Sequence, residues 1–146
     1  MSQVEDFLTA AQEHEIVRAI RMAEKDTSGE IRVHLEKKSD KDPLERAKDV
    51  FFFLKMDETK QRNGVLFYVA VEDRKFSVLG DTGIDEAVPS NFWDSVKNTV
   101  LDQFTKGNYA EGLKLGIMET GSKLKTFFPY TSDDVNELDD AISKNN

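Results

Sequence analysis

The sequence predicts a small mixed β-sheet carrying helices on its faces, a domain of the α/β or α+β class. Three observations point to it. Residues Glu30–Glu36 alternate strictly between polar and apolar, the period of a strand with one buried face. Residues 65–71 (VLFYVAV) are apolar on both faces, as in a central strand covered from two sides. Around these strands, apolar residues recur every three or four positions, the period of helices lying on a sheet.

The elements follow in order. Thr9-x-x-Gln12 is a capping box, and Ile16, Val17, Ile20 and Ala23 continue a helix over residues 7–25. Thr27-Ser28-Gly29 stops it, with Gly29 expected in a left-handed turn. In the first strand Ile31, Val33 and Leu35 share one face and Glu30, Arg32, His34 and Glu36 the other, so His34 is expected in solvent, as is His14. Pro43 opens a second helix with Leu44, Ala47, Phe51 and Leu54 on one stripe. Asn63-Gly64 launches the central strand. A tight turn at residues 72–75 returns it through 76–79 as a hairpin. Residues 80–86 (GDTGIDE) read as a glycine-punctuated acidic loop, and two helices follow over 90–105 and 109–125. The order is helix, strand, helix, strand, strand, helix, helix, and the pattern alone leaves the strand order open.

Composition bounds what the domain does. The chain has 146 residues, enough for one core without covalent staples. We expect one domain over residues 1–126 and an acidic tail over 127–146. Against 28 Asp and Glu there are 20 Lys and Arg, a net charge of −8, which disfavours nucleic acid and anionic membranes as partners. Cysteine is absent, which removes disulfides, thiolate metal sites and thiol nucleophiles. No apolar run approaches the roughly 20 residues of a membrane span. With no leader pattern at the start, a cytoplasmic location is expected.

The 80–86 segment is the most informative stretch for chemistry. Gly80 and Gly83 permit a tight backbone with positive φ, aiming Asp81 and Asp85 at one point. Two readings stay open: solvated turn carboxylates, or oxygen ligands for a hard cation. Of the other acidic pairs, Asp57/Glu58 does not lie in a glycine-bounded loop, and the tail pairs Asp133/Asp134 and Asp139/Asp140 read as solvated charge. No Lys or Arg clamp is expected beside the loop, because Arg74 and Lys75 fall at the far end of the hairpin. Nucleophile-elbow, P-loop and two-histidine zinc motifs are absent from the sequence. Gly112 and Gly116 mark close helix packing, and Trp93 and the phenylalanines read as core.

Four segments then carry a resemblance: Thr27–Val33 as TSGEIRV, residues 63–69 as NGVLFYV, residues 78–85 as VLGDTGID, and Phe104-x-x-Gly107-Asn108-Tyr109-x-x-Gly112-Leu113. In this order they resemble the TPM domain, known from a thylakoid-lumen phosphatase-like protein, a photosystem II repair factor and a nematode receptor modulator. The small single-domain bacterial type, which continues through Phe-Phe-Pro-Tyr, is the more similar. The resemblance implies a three-layer α/β/α sandwich with a small mixed sheet. It also implies a divalent-cation site, for Ca²⁺ or Mg²⁺, at the acidic end of that sheet. By position it adds Glu30 and Asn63 to Asp81 and Asp85, with Glu86 beside them. The chain departs from the family pattern at Asp85, where Glu is usual, and at Ser90-Asn91, where an Asp is common.

The expected function is a cation-binding module, in a binding or regulatory role, using Asp81, Asp85, Glu86, Glu30 and Asn63. A metal-dependent acid phosphatase using the same residues is the alternative. A third reading is a ligand-free interaction module that meets a protein partner through the aromatic residues of segments 50–54 or 127–130.

Overall fold

A computed structural model describes residues 3–131 and 138–145. Asp133 and Asp134 lie outside the described residues. After a single turn, α1 (Gln3–Asp6), the chain enters α2 (Ala10–Ala23). Thr9 caps it as expected: its Oγ1 accepts from the Gln12 N–H at 3.0 Å, and Gln12 Oε1 accepts from the Thr9 N–H at 2.9 Å. The left-handed turn expected at Gly29 does not occur, since Gly107 is the described glycine with positive φ. Gly29 is small for another reason: a Cβ there would stand 3.0 Å from Leu124 Cδ1.

The sheet has the order β3-β2-β1-β4, with β1 (Glu30–Glu36), β2 (Gly64–Ala70), β3 (Lys75–Gly80) and β4 (Ser143–Asn145). β1 runs parallel to both β2 and β4, whereas β2 and β3 form the antiparallel hairpin. The turn between them puts Arg74 at φ 53°. The crossover from β1 to β2 runs through α3 (Pro43–Phe53), started by Asp42, whose carboxylate accepts from the Leu44 N–H. α5 (Asp94–Thr105) and α6 (Tyr109–Leu124) complete the helices on the other face. The molecule is therefore a three-layer α/β/α sandwich on a mixed sheet.

The two faces of the sheet hold two cores. Ile31, Val33, Leu35, Val65, Phe67, Val69 and Val78 pack against α2, α5 and α6. Leu66, Tyr68 and Ala70 pack under Ala47, Val50, Phe51 and Met56. On the first of these faces Gly116 holds α6 close to α5 and the sheet, because a Cβ there would meet Val100 Cγ2 at 2.5 Å and Phe67 Cε2 at 3.0 Å. The packing role read from Gly112 and Gly116 holds. The phenylalanines divide: Phe51 is core, but Phe52 and Phe53 are 60% and 83% exposed, because successive helix residues cannot all face the sheet.

The polar face of β1 is the main departure from the expected pattern. His34 is buried, and so are Glu30 and Glu36. Alternation does mark two faces, but α3 and the returning C-terminal segment cover the polar one. Polar groups buried there need hydrogen-bond partners, and the Glu36 carboxylate has the fullest set. Glu36 accepts from Arg46 Nε at 2.8 Å and Nη2 at 2.7 Å, from Tyr68 Oη at 2.6 Å and from Asn145 Nδ2 at 3.1 Å. Burial alone would raise its pKa, but these donors hold it at about 2. Burial lowers the pKa of His34, whose Nδ1 lies 2.9 Å from Ser143 Oγ on the neighbouring strand. A His kept neutral in the fold but free to protonate when unfolded costs stability as pH falls below about 6.5.

The C-terminal segment is tied down at several points. Lys144 pairs with Glu5 at 3.1 Å and Glu13 at 2.9 Å, and Leu138 N–H donates to Glu30 Oε1 at 3.1 Å. Asp140, expected in solvent, has a side chain only 13% exposed, beside Arg21 at 3.5 Å, and it hydrogen-bonds Glu24. Upstream, Ser28 N–H donates to the Phe128 carbonyl, and Thr27 Oγ1 donates to the same oxygen.

Candidate functional site at the amino ends of β1 and β2

β1 and β2 begin side by side, with Glu30 opposite Gly64, and the antiparallel β3 ends there, with Gly80 opposite Val65. Asp81 leaves β3 with its N–H bonded to the Gly64 carbonyl at 3.0 Å. The topology thus brings Glu30, Asn63 and Asp81 to one end of the sheet.

The segment after Gly80 is not a loop. It forms a short helix, α4 (Thr82–Ala87), with Asp81 as its N-cap. Asp81 Oδ1 accepts from the Thr82 N–H at 2.7 Å, and the Asp81 carbonyl accepts from Ile84 and Asp85 N–H. Neither Gly80 nor Gly83 has positive φ. Gly83 is instead required by backbone crowding: a Cβ there would collide with the Gln61 carbonyl oxygen and stand 2.6 Å from that of Arg62. The Gly83 N–H uses this closeness to donate to the Arg62 carbonyl at 2.9 Å. Gly83→Ala is expected to push the 61–62 segment away and to lower stability by about 2 kcal/mol, read from the urea midpoint. An unchanged midpoint would mean that the segment gives way freely.

That segment carries the residue the sequence reading missed. Arg62, at φ 51°, grips Asp81 with both arms of its fork, Nε to Oδ2 at 2.9 Å and Nη2 to Oδ1 at 3.1 Å. The Asp81 side chain is 3% exposed and that of Arg62 43%. A cation therefore does stand beside the acidic segment, and the expectation of none is corrected. The signal was available: in a hairpin, the residues just before β2 must neighbour those just after β3.

The other expected residues separate. Asp85, four residues after Asp81, lies on the same side of α4. Partial burial, then the charge of Asp81, raises its pKa, with Lys48 acting in the opposite sense. Glu86 is exposed on α4. Asn63 is buried: its Nδ2 donates to Ser28 Oγ at 3.3 Å, and its N–H donates to Thr59 Oγ1 at 3.2 Å. Glu30 faces the C-terminal segment rather than Asp81. Leu138 Cδ1 and the Met56 carbonyl oxygen stand over Gly64, 3.6 and 3.0 Å from where a Gly64 Cβ would sit. Among the described residues no group of three or more His, Cys, Asp or Glu is arranged to hold a metal ion. Likewise, no helix among them is long and apolar enough to cross a membrane.

An α/β/α sandwich whose mixed sheet ends at Ser28-Gly29-Glu30, Asn63-Gly64 and an Asp81-capped helix defines a class of domain, and sequence comparison agrees. The TPM domain matches over residues 1–123, and the chain belongs to that family. The BA42 protein of the psychrophilic bacterium Bizionia argentinensis has a solved structure that is 54% identical in sequence. It covers 99% of this chain and 100% of its own, with a TM-score of 0.92. The N-terminal domain of a P. gingivalis protein is 20% identical, covers 84% of this chain and 79% of its own, and has a TM-score of 0.69. That of the cg2496 protein of Corynebacterium glutamicum is 16% identical, covers 79% and 72%, and has a TM-score of 0.64. The last two share the fold alone. No curated protein matches the chain.

Proposed function

We propose that this TPM domain binds a divalent cation, Ca²⁺ or Mg²⁺, through the carboxylates of Asp81 and Asp85, as a binding or regulatory module. The observation that carries the reading is the pairing of these two carboxylates on one side of α4, close enough for the charge of Asp81 to act on Asp85. A cation relieves that repulsion, and carboxylate oxygens suit hard cations. The donor chemistry fits, but the set is small. Glu30 and Asn63 are turned to other partners, so water must fill the remaining positions, and weak affinity, roughly 10⁻⁴–10⁻³ M, is expected.

Arg62 is the cation's competitor, because both its donors occupy Asp81 oxygens. Three variants test this together in an amide NMR titration of chelator-treated protein with Ca²⁺ and Mg²⁺. Asp81→Asn and Asp85→Asn should each weaken binding at least tenfold, about 1.4 kcal/mol. Arg62→Gln should tighten it. Diffuse, unsaturable shifts in the parent protein, or affinity indifferent to all three changes, would overturn the reading.

A metal-dependent acid phosphatase is the second reading, and Arg62 is what favours it, since a guanidinium beside a cation suits a phosphoryl group. Loss of phosphomonoester hydrolysis in both Asp81→Asn and Arg62→Gln would support it. A docking role rests on the exposed pair Phe52 and Phe53. The 127–130 segment suits it less, because Phe128 is buried.

A further inference from the structure

In open sheets of parallel strands, ligands are held beyond the carboxyl ends of the strands. Here that end is the one opposite the Asp81 site, about 20 Å away along the seven residues of β1. It carries a cavity of about 330 Å³. Its walls are Lys37, Lys38, Lys41 and Arg46, with Glu36, Asp40 and Asn145. Four cationic side chains against two carboxylates make this a positive spot on a chain whose net charge is −8.

The cavity is more than a group of surface lysines, because Arg46 is built into it. Its Nε and Nη2 are spent on the buried Glu36 carboxylate, which fixes the plane of the guanidinium. The Arg46 side chain is still one-third exposed, and its Nη1 arm is free to serve an incoming oxyanion. An arginine already locked in place loses little entropy on binding. Glu36 does not oppose an anion strongly, since Arg46, Tyr68 and Asn145 already hold its oxygens. Lys37 and Lys38 are exposed at the mouth and form no ion pair with another described residue. Lys41 is shared with exposed Asp49 at 2.7 Å.

We propose that this cavity binds a small dianion, a phosphoryl or dicarboxylate compound, with Arg46 as the fixed donor and Lys37 and Lys38 as the charge at the entrance. The lining carries a formal excess of two positive charges, part of which Asp49 offsets at Lys41, and clefts lined by one sign of charge focus the field on anionic ligands. The volume suits a small molecule, and the chain's net charge of −8 disfavours a polyanion.

The test is an amide NMR titration with inorganic phosphate and, separately, with succinate, in chelator and at ionic strength held constant with sodium chloride. Saturable shifts at residues 37–41, the Arg46 Nε–H and the Asn145 side-chain amide are expected. The double variant Lys37→Gln/Lys38→Gln should weaken them at least tenfold while leaving the rest of the spectrum in place, because both side chains are exposed. Binding of phosphate alone marks a phosphoryl site, and binding of succinate alone marks a dicarboxylate site. Shifts that grow linearly without saturation, or that persist unchanged in the double variant, would reduce the cavity to charge screening and overturn the proposal. Because divalent metal is excluded, this outcome is independent of the Asp81 reading.

Discussion

Replacing Arg46 with Met is expected to lower stability by about 3 kcal/mol at neutral pH, the lower end of what breaking a buried ion pair costs. The reason lies with Glu36, whose side chain is 5% exposed. Without the guanidinium its charge stays in the interior with only Tyr68, Asn145 and His34 as partners. Met keeps much of the apolar stem, so lost packing is a small part of the effect. The sign of the pH dependence is fixed. The pKa of Glu36 is lowered to about 2 in the fold, so its stabilising contribution is complete above the unfolded value, near 4.5, and is lost as pH falls toward 2. The gap between parent and variant should therefore be widest near neutrality and narrow in acid. Adding Glu36→Gln to the variant should recover part of the loss, because no buried charge is then stranded. Urea unfolding at pH 7 and pH 3 measures both points. A gap that widens in acid would assign the loss to packing instead.

The second large effect has the opposite sign. The pKa of Glu24 is raised to about 9, first by burial and then by its hydrogen bond with Asp140, with Asp140 and Glu30 adding like charge. Its Oε2 also accepts from the Ile31 N–H at 3.1 Å, and Arg21 faces Asp140 at 3.5 Å. The folded protein keeps this proton while the unfolded chain releases it near 4.5. The contribution is therefore complete below that value and fades as pH rises through about 9. Glu24→Gln mimics the protonated acid, with an amide to donate to Asp140 and an oxygen for Ile31. It should match the parent at pH 5 and be more stable at pH 8.5, by on the order of 3 kcal/mol, since the slope is at most about 1.4 kcal/mol per pH unit. A constant difference across that range would show that Glu24 is already ionised in the fold. The Glu24–Asp140 bond also joins the end of α2 to the C-terminal segment. Removing it with Glu24→Ala should therefore speed amide exchange at residues 143–145 ahead of the rest of the sheet.

Local patterns were legible because they depend on neighbours along the chain. The capping box at Thr9, Pro43 at the start of α3, the apolar run of β2 and the small residues Gly112 and Gly116 each carry their physics within a few positions. The candidate site was legible in part. Asp81 and Asp85 fall four positions apart, at the N-cap and in the first turn of α4, although the segment was expected as a loop. Asp81 can cap a helix or a turn with the same side chain, and the sequence does not distinguish the two.

What the sequence by itself determined is the α/β class, the central place of β2, the absence of thiol chemistry and the family. These follow from periodicity, composition and ordered motifs. Tertiary structure alone decided that the polar face of β1 is an interior. It did so by bringing Arg46 of α3 and Asn145 of β4 to Glu36, and Ser143 of β4 to His34, more than 100 positions away in the chain. The Arg62–Asp81 pair stands between the two: the hairpin puts positions 19 residues apart side by side, but only the folded geometry shows the guanidinium engaging both carboxylate oxygens. Alternation reports which side chains share a face, but whether that face meets water depends on what the rest of the chain places over it.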